Sequence, residues 1–255
     1  MRAETEVAIR AVSLAMQRAD AREGADNVDS KGGIDIVTAT DVICEDAIRA
    51  ELTDAFAEYP IVGEERGGEA VEDRPYWLVD PICGTRPYAS NIPMYCTNIA
   101  LVENGRVTAA AVAIGGSGEV MYAEKGGGAW LRTKQGDRPI TPSEESNTLW
   151  IGTHTEHGAN VTRNAMLLKR WYIMQAPTSL GYPYLAAGRI SGLIHMSPKL
   201  SSVHTAAGCF LAEEAGAVVT DVETGQPWRI GNAMYLLAAT PILHKELMEL
   251  VGGSA

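Results

Sequence analysis

Only four cysteines occur in the 255 residues, Cys44, Cys83, Cys96 and Cys209, and no two of them form a C-x-x-C pair. That scatter excludes a disulfide framework and predicts reduced thiols in a cytoplasmic protein. No run of about 18 apolar residues is present, which excludes a helical membrane span. The first twenty residues mix Glu, Arg and Asp with apolar positions and lack an uninterrupted apolar stretch, so no secretory signal is expected. Positive charge is also in deficit. A formal net charge of −11 argues against a nucleic-acid backbone as partner. It leaves room for a small anionic substrate, because one metal ion or helix terminus can invert the local field. There is no internal repeat and no low-complexity tract.

What is present is an ordinary globular composition, 46% apolar and 21% charged, in a chain long enough for one large domain or two fused halves. Apolar positions at Val7, Ile9, Val12, Leu14 and Ala15 predict an amphipathic helix over 4–22. A polar, glycine-punctuated loop with Lys31 follows over 24–33. Thr40 or Asp41 is the expected N-cap of a helix ending near Tyr59, before Pro60. A short strand at 61–65 ends in two carboxylates. Strands are predicted at 98–103, 107–114 and 119–123, with Asn104-Gly105 and 115–118 as turns, and a further strand or hairpin around Trp130. The polar stretch 141–147 divides an N-terminal half, 1–145, from a C-terminal half, 146–255, within one structural unit. The second half alternates strands at 149–153, 172–176, 192–196, 217–220 and 235–239 with helices at 157–170, 179–188, 203–215 and 241–251. This mixed order points to an α+β or layered α/β arrangement.

The chain is organised around Trp77-Leu78-Val79-Asp80-Pro81-Ile82-Cys83-Gly84-Thr85-Arg86. It reads as an apolar strand that turns sharply at Pro81 and reaches a Gly-Thr pair able to open a helix. A carboxylate at a strand end beside helix N–H groups can place a cation next to a phosphate.

Four motifs accompany one another: D-I-V-T-A-T-D at 35–41, G-E-E at 63–65, D-P-I-C-G-T at 80–85, and H-T-A-A-G with E-E-A-G at 204–216. In this order and spacing they resemble the inositol monophosphatase family of magnesium-dependent phosphatases. The resemblance runs from Lys31 to about Thr240. It implies a layered αβαβα sandwich of the inositol monophosphatase / fructose bisphosphatase type, a homodimer, and a small phosphorylated substrate such as a polyol, sugar or nucleotide-like ester. It further implies that Glu64, Asp80 and the carbonyl of Ile82 hold metal. Thr85, with Asp41 as its acidic partner, orients and deprotonates the attacking water. The amides of Gly84 and Thr85 cradle the phosphate.

Two positions depart from the family pattern. The second Asp of D-P-I-D-G-T is Cys83 here, and the Asp of W-D-x-A-A-G is His204. Both losses fall on the second metal position. Three readings stay open at this point. The two residues fill space in a non-catalytic relative that binds a ligand or partner. Alternatively, with Glu64 and Asp80 they form a mixed N/O/S set for Zn²⁺ or Fe²⁺ in place of Mg²⁺. In the third, Cys83 is a thiol nucleophile activated by a helix terminus, with His204 as its base. Weak or partial Mg²⁺ occupancy, or no metal at all, follows from the loss of two oxygen ligands.

Other departures concern the substrate. Arg86-Pro87-Tyr88 replaces the usual Thr-Asn-Phe, and Arg86 is a candidate contact for a substrate anion. Glu65 is a candidate for indirect support of the metal site. Glu213 and Glu214 are expected on the exposed side of their helix. His154 and His157 have no partner nameable from sequence. Pro183, Ser197 and Lys199 fall in the family's substrate-selecting segment, 176–200, without an inositol-binding pattern.

Overall fold

The computed structural model describes residues 1–22, 25, 27–32, 35–71, 73–152, 169–176, 178–196, 200–232 and 234–252. Thr153, most of the expected helix at 157–170, and His154, His157, Ser197 and Lys199 lie outside the described residues.

Helix α1 (Ala3–Ala21) opens the chain and buries Val7, Ala8, Ala11, Val12, Ala15 and Ala19. Small residues at helical spacing let its backbone lie close to α2 (Ala39–Ala55) and to the sheet beneath. That sheet has seven strands in the order β3-β4-β5-β6-β7-β8-β9. They are β3 (Ile61–Gly63), β4 (Tyr76–Cys83), β5 (Cys96–Glu103), β6 (Arg106–Ile114), β7 (Glu119–Glu124), β8 (Ala129–Thr133) and β9 (Gly136–Pro139). Strands β5 to β9 form a meander of antiparallel hairpins, and Asn104 and Gly105 both take positive φ in the first turn, as that turn type requires.

The second sheet has five strands: β10 (Thr148–Gly152), β11 (Tyr172–Gln175), β12 (Gly192–Met196), β13 (Val218–Asp221) and β14 (Met234–Ala238). Their order is β11-β10-β12-β14-β13, parallel around β10 and antiparallel around β14. Helices α4 (Gly181–Ala186) and α5 (Ser202–Ala215) lie between the two sheets, and α6 (Pro241–Gly252) covers the outer side of the second. The result is the expected αβαβα layering.

Period-two alternation in the seven-stranded sheet explains the layers. Trp77, Val79, Ile99, Leu101, Ala109, Ala111 and Val120 point into the core shared with α1 and α2. Leu78, Ala100, Val102, Ala110, Val112 and Met121 point into the core shared with α5. That second core also takes in Leu193 and Tyr235, so it draws on residues from both sides of position 145.

Three local expectations are corrected. The glycine-rich loop contains strand β1 (Val28–Gly32), paired with β2 (Asp35–Thr38) as an exposed hairpin. Its sequence, Val-Asp-Ser-Lys-Gly, carries no apolar alternation to reveal it. The N-cap of helix α2 is Thr38 rather than Thr40 or Asp41. Thr38 and Asp41 form a reciprocal capping box, so Asp41 closes the box from the third helical position. The helix ends at Ala55, short of Tyr59, because Phe56 and Tyr59 stack at 5.1 Å and pack around Trp77 instead.

Candidate metal and phosphate site

Strand β4 does not turn at Pro81. It continues to Cys83, and the turn falls at Gly84, whose φ of 101° favours glycine. Pro81 has no N–H to give the ladder, and the register shifts between the pairs Asp80↔Asn98 and Cys83↔Cys96. Two residues, Pro81 and Ile82, therefore stand opposite Thr97, whose hydroxyl donates to the Pro81 carbonyl at 2.7 Å.

This bulge reverses the side-chain phase. Ile82 packs with the α1–α2 core, and Cys83 joins Asp80 on the α5 face. In an unbroken strand Cys83 would lie on the face opposite Asp80.

Parallel pairing of Gly63 with Val79 carries the next residue, Glu64, up beside Asp80, and the Glu64 N–H donates to the Val79 carbonyl at 3.1 Å. Glu45, wholly buried on α2, secures this corner. Its carboxylate accepts from the N–H groups of Glu65 (2.7 Å) and Arg66 (3.1 Å) and pairs with Arg49 at 2.8 Å. A Cβ on Gly63 would sit 2.0 Å from Glu45 Oε1, so only glycine fits there. The sequence reading missed Glu45, although its i+4 spacing from Asp41 places both on one face of α2.

Asp41 accepts at Oδ2 from the Thr38 N–H (2.8 Å) and hydroxyl (2.5 Å), and at Oδ1 from the Thr85 hydroxyl (3.0 Å). The Thr85 hydroxyl also lies 3.1 Å from the Ile82 carbonyl, so its one proton is shared between two acceptors. Burial pushes the Asp41 carboxyl above its usual range, against the pull of these donors.

The Glu64 carboxyl is pushed up to about 7, first by burial and then by the Asp80 charge. Burial likewise raises Glu65 to about 7. Lys31, carried by the exposed hairpin, bridges both, with Nζ 3.0 Å from Glu64 and 2.6 Å from Glu65.

His204 sits in the first turn of α5, with Nδ1 2.9 Å from Asp80 Oδ2 and 3.8 Å from Glu64 Oε2. Burial alone would lower its pKa. Hydrogen bonds to Asp80 and Cys83 outweigh that and hold the imidazole well above its ordinary value.

The Cys83 thiol is pushed well above its ordinary value, by a hydrogen bond with Cys96, by burial and by the Asp80 charge. That direction opposes a free thiolate, while the hydrogen bond with His204 pulls the other way. Ser179 N–H donates to Cys83 Sγ and the Thr178 hydroxyl to the Cys83 carbonyl, both at 3.2 Å. The Asn98 amide donates to Ser179 Oγ (2.9 Å) and Asp80 Oδ2 (3.4 Å). No sequence signal marked Asn98, Thr178 or Ser179.

A profile of the inositol monophosphatase family matches residues 1–254. The chain belongs to the inositol monophosphatase family. It is 30% identical over 236 residues to the inositol-1-monophosphatase of Rhizobium meliloti, covering 88% of this chain and 85% of that protein. It is 31% identical over 203 residues to the Nus factor SuhB of Xylella fastidiosa, covering 76% of this chain and 72% of that protein. Among solved structures, the Thermotoga maritima IMPase superposes with a TM-score of 0.88 at 25% identity, covering 99% of this chain and 98% of that one. Membership of the inositol monophosphatase family implies a metal-dependent enzyme acting on phosphoric monoesters.

The oxygen donors of Glu64, Asp80 and the Ile82 carbonyl fit the hard cation that the inositol monophosphatase family uses. Asp80 Oδ1 is buried with no hydrogen-bond partner, and Glu64 beside it is raised by burial and by the Asp80 charge, as expected of crowded carboxylates built to meet a cation. On the other side, Cys83 and His204 offer a thiol and an imidazole, donor types that do not suit magnesium.

The altered segment after Gly84 divides in two. Tyr88 is core: its hydroxyl donates to the Ala19 carbonyl at 2.9 Å and its ring meets Tyr95 edge-on at 4.9 Å. Arg86, in the short helix α3 (Thr85–Ala89), is exposed. Glu214 does more than face solvent, since its carboxylate accepts from the N–H groups of Gly126 and Gly128, and Glu213 accepts from Trp228 Nε1. Among the described residues no helix is long and apolar enough to cross a membrane.

Proposed function

We propose that this chain hydrolyses a small phosphate monoester, of a polyol, a sugar or a nucleotide-like alcohol. In this reading the Asp41–Thr85 pair orients the attacking water and takes up its proton. Glu64, Asp80 and the Ile82 carbonyl hold a hard divalent cation, Mg²⁺, which when bound supplies charge neutralisation and acidifies water. The observation that carries this reading is the 3.0 Å hydrogen bond from Thr85 to Asp41 Oδ1, set beside the Glu64–Asp80 carboxylates.

Asp41 is suited to the role of base. Its other oxygen is occupied by Thr38, which fixes the carboxylate, and its raised pKa brings it nearer to neutral pH. Thr85 passes the proton on, since its hydroxyl donates to Asp41 while a lone pair stays free to accept from water. The amides of Gly84 and Thr85, at the start of α3, and exposed Arg86 beside them supply donors for phosphate oxygens. With only one side of the site built from oxygen, a weaker Mg²⁺ requirement than a full set of carboxylates would give is expected.

The test is phosphate release from inositol phosphates, sugar phosphates and nucleoside monophosphates, with and without Mg²⁺, by the full chain and by Asp41→Asn. Release that requires Mg²⁺ and is lost in Asp41→Asn supports the reading. Absence of release from every ester overturns it in favour of a non-hydrolytic binding role.

A further inference from the structure

Asp80, Cys83 and His204 bring a carboxylate oxygen, a thiol sulfur and an imidazole nitrogen within 4.8 Å of one another. Three features of this cluster point to a bound metal, and the first of them selects one other than magnesium. The donor types are those of a thiophilic cation, since thiolate and imidazole select Zn²⁺ over the hard ions. Two of its members are enclosed: Asp80 has no exposed surface and Cys83 keeps only 9%, with His204 partly open to solvent. Finally, Asp80 Oδ1 is buried without a partner although Oδ2 is occupied by His204 and Asn98. A buried carboxylate oxygen with nothing to accept from is costly unless a ligand meets it.

The bulge at Pro81 is what makes the cluster possible, because it turns Cys83 onto the face of Asp80. Ser179 N–H, donating to Cys83 Sγ, is the kind of contact that supports a thiolate ligand in place.

We propose that Asp80, Cys83 and His204 bind Zn²⁺ as a soft-metal site beside the hard-cation position. Asp80 is shared between the two, and the fourth zinc position is left for Glu64, whose Oε2 is 3.8 Å from His204 Nδ1, or for a substrate oxygen. Zn²⁺ bonds sulfur at about 2.3 Å and imidazole nitrogen at about 2.0 Å, so bringing the three donors onto one ion needs a rearrangement on the order of 1 Å, in which the 2.9 Å His204–Asp80 contact opens to admit the metal. On binding, the Cys83 S–H bond is replaced by a sulfur–zinc bond and one N–H bond of the His204 imidazolium by a nitrogen–zinc bond; both protons leave to solvent and no electron changes hands. The inference rests on the phosphatase reading only for the sharing of Asp80, and of Glu64 where it takes the fourth position, with a second cation.

Cobalt(II) titration of the chelator-treated full chain tests it without relying on turnover. A near-ultraviolet thiolate-to-cobalt charge-transfer band, with the visible bands of tetrahedral Co²⁺, is expected to saturate at a single ion per chain. Zn²⁺ should bleach both, and excess Mg²⁺ should not. Cys83→Ser should lose the charge-transfer band, Cys44→Ser should keep it, and His204→Asn should weaken Co²⁺ binding by about tenfold or more. Because His204 is partly exposed, His204→Asn provides a test even if Cys83→Ser does not fold. A wild-type protein with no charge-transfer band, or a band unchanged in both site variants, overturns the proposal. Phosphate release with Mg²⁺ is followed in the same samples. Bands without release sink the phosphatase reading alone, and release without bands sinks the zinc site alone.

Discussion

His204 Nδ1 lies 2.9 Å from Asp80 Oδ2, so the first turn of α5 closes directly onto strand β4. With no metal bound, the protonated imidazole supplies Asp80 with a positive charge, and Lys31 does the same for Glu64 and Glu65. Two of the chain's own cations thus neutralise a carboxylate group that would otherwise repel itself. Consequences for binding, acidity and catalysis follow.

Lys31 competes with a hard cation for Glu64. Lys31→Met should tighten Mg²⁺ binding by about fivefold or more, read by titration calorimetry on metal-depleted protein. Unchanged or weaker binding would show that the lysine helps to build the cation position.

The metal-free protein should lose stability as the pH rises from about 5 to about 8. Glu64 and Glu65 have folded pKa values of about 7, above their ordinary 4.5, so folding takes up protons between those values. His204 is raised above 6.5 and acts in the same direction on the alkaline side, whereas His244, lowered by burial, opposes below its ordinary value. The expected net result is a Tm several degrees lower at about pH 8 than at about pH 5. Saturating Mg²⁺ should flatten the profile. A Tm that rises with pH in chelator would contradict the assignment.

Thr85 provides a direct probe of proton transfer. Thr85→Val removes the hydroxyl at nearly constant volume and should lower kcat by about 10²–10⁴, with KM little changed. Thr85→Ser keeps the hydroxyl and should retain turnover within about tenfold. Equal activity in the two variants would remove Thr85 from the reaction.

Gly84 holds the turn that delivers Thr85. A Cβ there would lie 2.5 Å from the Met94 carbonyl oxygen and 3.3 Å from Thr178, at a φ of 101°. Gly84→Ala should cost about 2 kcal/mol or more, measured by urea unfolding.

Local pattern disclosed a mixed order of strands and helices, whereas the αβαβα layering and the acidic residues of the candidate site were implied by the resemblance of four motifs to the inositol monophosphatase family. Alternating apolar runs marked the strands, and the carboxylates stood at strand ends. The turn was misplaced at Pro81 because a proline interrupts a ladder either by ending the strand or by bulging it, and only the pairing with Thr97 decides which. The meeting of Cys83 with His204 depends on that bulge, and so was left open among three readings. Glu45 escaped because a buried acid in mid-helix looks like a surface one until Gly63 is seen packed against it. Ser179 and Asn98 belong to the site only through contacts across 96 and 18 residues of chain.

Those separations have a kinetic meaning. The β5–β9 meander is made of neighbouring hairpins and can form early, whereas Asp80 must wait for a histidine 124 residues further along. During synthesis Asp41, Glu64 and Asp80 all emerge before the closing helix does. The His204–Asp80 contact becomes a late event in folding, and a spectroscopic probe placed there would time the arrival of the second sheet.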